Sequence, residues 1–368
     1  MIIKSNNKRL INFDLLKIVA FIMVVFLHYN NKGMGGGLLY SQGFTLLVFK
    51  VIESICIVAV PLFLLITGYF SSKNKSFCLR KIIGLYILFY SYRFVCFWLD
   101  FFIFHKEYEI NDFFLLLVPS NYYINLYSVL ILLSPFINKL FNLSKKIVIK
   151  LILILVILFV VLPSITVMYL SYFEKGFITG LSFLTIDGDL SGYSIVMFII
   201  YYLIGAIVRE YDISFKKIYS ILIYLLMISV LTPLSYIMDI WNYNNIFVLI
   251  SATSLFLFFK ELKISEFRFI TVLSSCSLGV FILHTQNLFL FSYFSLFNIG
   301  DEIAKGFLYA MFNMFTVVFS IILICVCSDL LLRFIVKPIK NKLYSCYFVN
   351  KKIFDLSENN NNNIIDKS

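Results

Sequence analysis

Charge is scarce in this 368-residue chain: Asp, Glu, Lys and Arg make up 14% of it, against 61% apolar and 18% aromatic residues. A soluble globule holds an apolar share of about 45–50%, so that class is excluded. Polar stretches long enough for a soluble domain are missing too, since the longest loop lies near 170–193. The seven cysteines (56, 78, 96, 276, 325, 327 and 346) have neither a CxxC pair nor Cys/His ligand spacing. They read as small apolar fillers and imply no disulfide and no metal site. A small-x-small cleavage site is also lacking behind the basic N-terminus, and the first apolar run contains Asp14 and Lys17. That run is expected to stay attached as a helix and not to be removed as a signal peptide.

What is there describes an all-α, polytopic integral membrane protein. Apolar windows of about 20 residues place spans near 10–29, 44–70, 80–104, 122–141, 147–169, 194–209, 216–238, 245–260, 269–296 and 305–336. The expectation is a bundle of about ten transmembrane helices. Loop charge tests the count, because Lys and Arg concentrate on the cytoplasmic side. With the N-terminus cytoplasmic, 24 of the 31 Lys and Arg fall in alternate, inner segments and four (Lys32, Lys106, Lys175, Lys305) in outer loops, leaving Lys17, Lys50 and Arg93 inside spans. The alternation holds throughout, which predicts an even number of spans with both N- and C-termini cytoplasmic. The net charge of +11 follows from this asymmetry, so anionic membrane lipid is the expected partner and nucleic acid is not. A single transmembrane domain is expected over 1–356, followed by a disordered, Asn-rich cytoplasmic tail at 357–368.

Ionisable groups inside spans are the candidates for function, since each costs roughly 2.5–3.5 kcal/mol at a helix centre. The first span holds Asp14, Lys17 and His28. On an α-helix these positions lie within roughly 60° of one another, and Lys17 to His28 covers about 16 Å. Lys17 equally suits snorkelling to the inner interface. His284, in the ninth span, falls at the depth of His28, while His105 belongs to an outer loop. Glu53 lies at a similar depth, placed either to orient an imidazole or to pair with Lys50. The third span starts with Arg80 and Lys81, which serve as orientation signals or phosphate ligands, and carries Arg93 and Asp100 deeper in. A transporter and a membrane-embedded transferase both predict such a polar path.

Five segments break the tie. Asp14-x-x-Lys17 with His28, Pro61-Leu-Phe-Leu-Leu-Ile-Thr67-Gly68-Tyr69, Leu126 to Lys139 with its Ser134-Pro135, Tyr202-Leu-Ile-Gly205-Ala-Ile-Val-Arg209, and Leu278-Gly279-Val-Phe-Ile-Leu-His284 together resemble the acyltransferase 3 family, in family order. The resemblance implies a bacterial inner-membrane enzyme that moves an acyl group, commonly acetyl, from cytoplasmic acyl-CoA to a sugar hydroxyl of a surface polysaccharide or its lipid-linked precursor. Acyl-CoA would be a co-substrate, with no permanently bound cofactor. The family's first-helix basic residue and histidine map onto Lys17 and His28. Lys17 would then lie near the CoA phosphates, with Arg80, Lys81 and Arg93 as further donor-binding candidates. His28 would act as general base or as an acyl-histidine relay, with Glu53 and His284 as the other catalytic candidates. The rival reading is a glycan exporter. The sequence departs from the family where the second arginine of an R-x-x-R pair would fall, since Gly84 follows Lys81 there, and Lys17 stands in place of the commoner arginine.

Overall fold

The computed structural model describes residues 10–172, 192–286, 288–345 and 352–355. It is 79% helical, with almost no strand. In chain order the helices are α1 (Ile11–Asn30), α2 (Gly37–Tyr40), α3 (Gly43–Cys56), α4 (Ala59–Ser71), α5 (Arg80–Ile103), α6 (Ile110–Leu117), α7 (Tyr122–Asn138) and α8 (Lys145–Val156). A π-turn, Ile157–Val161, leads into α9 (Leu162–Tyr172). Then follow α10 (Ile195–Glu210), α11 (Lys217–Leu234), α12 (Ile246–Lys260), α13 (Arg268–Ser275), α14 (Ser277–Leu283), α15 (Ile299–Ala304) and α16 (Phe307–Tyr344).

A helix occupies each window expected to span. Among the described residues, seven helical stretches are long and apolar enough to cross a membrane: Ile11–Asn30, Gly43–Ser71, Arg80–Ile103, Ile110–Asn142, Lys145–Tyr169, Lys217–Leu234 and Phe307–Pro338. The stretches at α10, α12 and α13–α14 are shorter. Large apolar side chains face outward, with Phe312 75% and Phe334 82% exposed on α16. In water that surface would aggregate, whereas lipid covers it at no cost. The expected tail at 357–368 and most of the outer loop, 173–191, lie outside the described residues.

Two expected spans are interrupted. The second breaks at Ile57 and Val58, between α3 and α4. Pro61 accounts for it, because a proline ring clashes with the carbonyl four residues back, here that of Ile57. The ninth breaks at Cys276 and ends at Leu283 instead of running to 296; a π-turn, Leu288–Tyr293, follows. In α7 the helix runs on through Pro135, and the Ser134 hydroxyl donates to the Ile131 carbonyl, the one the proline leaves without its usual partner (2.8 Å).

Helix α1 sits at the centre, packed against α3, α4, α12, α13, α14 and α16. The tightest seam joins α4 to α10. A Cβ added at Gly68 would run into the Tyr202 carbonyl, and one at Gly205 into the Leu65 carbonyl, so the two glycines let the backbones touch. At the same end Asn138 donates to the carbonyls of Ser71 (2.7 Å) and Asn74 (2.9 Å) and accepts from the Tyr202 hydroxyl (2.8 Å). Beyond it a short antiparallel ladder pairs β1 (Ser76–Cys78) with β2 (Lys352–Asp355). The α4–α5 connection and the chain segment after α16 therefore share one face of the bundle.

Candidate functional site

His28 stands in the last turn of α1, and its neighbours fix that turn. Tyr29 donates to Asn313 on α16 (2.8 Å), while the Asn30 amide donates to the Phe49 carbonyl (3.1 Å) and to the Glu53 carboxylate (3.0 Å) on α3. A helix end held on both flanks cannot rotate, so the imidazole is pre-positioned. His284 follows α14 directly and is 2% exposed. The two rings, 256 residues apart in the chain, pack with centroids 4.7 Å apart.

The tautomer of His284 is set by the backbone. Its Nδ1 lies 2.6 Å from the Val280 carbonyl, which can only accept, so Nδ1 carries the hydrogen. In the neutral ring the lone pair then belongs to Nε2. Among the described residues, that atom and His28 Nδ1 are both buried without a hydrogen-bond partner. Unpartnered buried nitrogens are uncommon in a folded chain, and one that holds a lone pair is satisfied by an incoming N–H or O–H donor such as a hydroxyl.

Two cavities meet at His28, at the end of the bundle where α1 finishes. One, of about 1000 Å³, is lined by His28, Glu53, Tyr122, Tyr236, Asp239 and Trp241 among others. The second, of about 510 Å³, is lined by His28, Arg93, Asp100, Tyr108, Asp112 and Gln286 among others. Asn121, Tyr122, Thr285 and Met34 also border both. A third, smaller cavity of about 200 Å³ lies towards the start of α1, around Lys17, Thr67, Tyr127, Ser274 and Ser277.

The expected residues are thus sorted by place. His28 and His284 come together, and Glu53 shares the larger cavity with His28. Glu53 accepts from Asn30, and Lys50 turns away to the Ser235 carbonyl (2.8 Å) and lies over the Tyr236 ring (3.5 Å). Lys17 borders the small cavity and pairs with Asp14 (3.2 Å), whose side chain is buried. Arg93, midway along α5, sits with His28 in the 510 Å³ cavity. Its guanidinium donates to the carbonyls of Val118 (2.6 Å) and Leu115 (2.6 Å) at the end of α6 and to Ser120 (2.9 Å). Arg80 and Lys81 are exposed at the start of α5, where Arg80 stacks on Tyr344 (4.3 Å) and neither lines the cavity of Lys17.

Two carboxylates complete the polar interior. Asp100 accepts from Ser292 (2.5 Å) and Tyr108 (2.8 Å). Burial first, then this hydrogen bond, pushes the Tyr108 phenol up, so it remains a donor in the loop after α5. Asp329 on α16, fully buried, was not singled out by sequence. It pairs with Arg333 (2.9 Å) and accepts from Tyr92, and Arg333 also donates to the Ser275 carbonyl at the α13–α14 break (2.5 Å). A Cβ at Gly279 would strike the Asp329 carboxylate, which explains the glycine five residues before His284. The signal was available: Asp and Arg spaced i,i+4 within an apolar run.

Three of the five segments therefore have packing as their visible role: the α4–α10 seam uses two of them and Asn138 of α7 ties a third to it. The other two bring the imidazoles together. Among curated proteins and among solved structures, no significant match to the chain was found. Comparison with known families, however, matches residues 10–333, most of the chain, to the acyltransferase domain Acyl_transf_3. This membrane-spanning chain, with His28 at the meeting of two cavities and His284 packed against it, belongs to the acyltransferase 3 family.

Proposed function

We propose that the protein is an O-acyltransferase of a bacterial cytoplasmic membrane, moving an acyl group, acetyl in the simplest case, from cytoplasmic acyl-CoA to a sugar hydroxyl of a surface polysaccharide or its lipid-linked precursor. The observation that carries this reading is the His28–His284 pair: His28 borders both cavities through which substrates would arrive, and the buried His284 ring packs against it. An alcohol needs its proton removed as it attacks, and a neutral imidazole is the side chain suited to that near neutral pH.

In this reading His28 takes the proton from the acceptor hydroxyl while the oxygen attacks the thioester carbon. The tetrahedral intermediate collapses with cleavage of the C–S bond, and the sulfur leaves with the proton that His28 returns. His284, its Nδ1 hydrogen held on Val280, packs its ring against that of His28 and so keeps the base oriented. Glu53 and the polar and aromatic side chains of the larger cavity receive the acceptor. Lys17 meets the donor from the other end of α1, and the bundle of ten spans has both ends in the cytoplasm. The shared face of the 76–78 and 352–355 strands supports that parity.

The test offers the purified protein labelled acetyl-CoA and lipid-linked glycan precursors, beside His28→Ala. Ester label on the acceptor is expected, falling on the order of 10²–10⁴-fold in the variant. Equal labelling by both proteins would remove His28 from the chemistry. Glycan flux into vesicles without any acyl transfer would point to an exporter instead.

A further inference from the structure

The small cavity around Lys17 and the large cavity around His28 and Glu53 have a single bordering residue in common, Phe281. Its ring is 3% exposed and is gripped by Tyr123, at 4.5 Å between centroids, and by Phe63, at 6.1 Å. Its other edge meets His284 at 5.8 Å and 80°. Phe281 lies on α14, one turn before His284 and Thr285, which follow the helix, so its ring stands beside the His284 imidazole.

An acyl-CoA carries phosphate charges that keep it on the aqueous side it comes from, and a surface glycan arrives from the other. Their reacting groups must meet where the two cavities approach each other. At that point, among the described residues, an aromatic ring stands between two others. Such a partition has two chemical consequences. Water from the large cavity is kept from the thioester; otherwise it would add across the C–S bond to give the carboxylic acid and free CoA thiol. A flat slit between rings also passes a short acyl chain more readily than a long one.

Resting on the acyltransferase reading above, we propose that Phe281 is the gate between donor and acceptor sides, excluding water and restricting the acyl chain that reaches His28 to a short one. It is a specificity-determining residue, since it bounds the path of the acyl group.

The first test does not depend on catalysis. In a cysteine-free background carrying Thr67→Cys, a membrane-impermeant maleimide is applied to vesicles from the side that the large cavity faces. The gate predicts no labelling with Phe281 present and at least tenfold more with Phe281→Ala, while the reagent labels from the opposite side in both. Labelling from the large-cavity side with Phe281 intact, or no gain in Phe281→Ala and in the milder Phe281→Leu, overturns the gate. The second test compares acetyl-CoA with butanoyl-CoA. Phe281→Ala should shift the ratio of transfer rates towards butanoyl on the order of tenfold, and should speed CoA release without acceptor. An unchanged ratio in a monodisperse variant overturns the restriction on chain length. One-sided labelling as expected, with no acyl transfer by the unsubstituted protein, supports the barrier and defeats the acyltransferase reading.

Discussion

The hydrogen on His284 Nδ1 is an example of a side-chain state written by the backbone, because the Val280 carbonyl one turn earlier admits only a donor. Replacing His284 by Gln keeps a side-chain amide at the site but removes the basic nitrogen. Acyl transfer is expected to fall on the order of 10²-fold with donor KM little changed, as steady-state rates against acyl-CoA would show. A loss confined to KM would mean the ring only shapes the donor path. At Gly279, substitution by Ala forces a methyl against the Asp329 carboxylate, and a destabilisation of about 1–3 kcal/mol is expected from thermal unfolding in detergent. Paired Asp329→Ala with Gly279→Ala should recover part of that loss. The histidine pair was legible in sequence, because titratable groups are rare enough in apolar spans for two at one depth to stand out. Asp329 left only a weaker mark, the i,i+4 spacing from Arg333, which reads equally well as an ordinary inner-side charge. Arg93 reads in sequence as a donor-binding candidate; its partners in the fold, two carbonyls at the end of α6 and the Ser120 hydroxyl, were not legible, since a carbonyl has no letter in a sequence.

Elements were legible where a residue type dictates geometry and illegible where a distant contact does. The break between α3 and α4 follows from Pro61. The break between α13 and α14 falls at Cys276, which has no intrinsic tendency to end a helix, and it is held by Arg333 reaching from α16 to the Ser275 carbonyl. The seam of α4 and α10 was legible only as two glycines; that each lies on the other helix's backbone required the fold. Gly205→Leu should therefore separate the seam, seen as loss of a monodisperse peak on size exclusion, whereas the lipid-facing Phe312→Leu should leave it intact. Arg93→Ala frees the carbonyls of Leu115 and Val118, so faster hydrogen exchange is expected across 110–121 with little change in α1. Uniform exchange in both would show that α6 is held by other contacts.

At the scale of the molecule, the alternation of loop charge predicted a fixed direction for the chain, and the windows of hydropathy found a helix in every place they named. Length was less legible: α10 has 16 residues and α12 has 15, fewer than a straight crossing needs. The explanation is burial, for half or more of each lies among other helices, where the bilayer does not set the length. Impermeant thiol labelling of cysteines placed at Lys75 and at Ser345 is expected from the same face, opposite to one placed at Lys305. Labelling of Lys75 and Ser345 positions from different faces would overturn the even count. The two-strand ladder at that face gives the end of the chain a mechanical role. Removing everything after Ser345 does more than shorten a tail: it unclasps the loop that feeds α5, the helix that carries both Arg93 and Asp100 to the cavity at His28, so damage at one end of the bundle would be felt in that cavity.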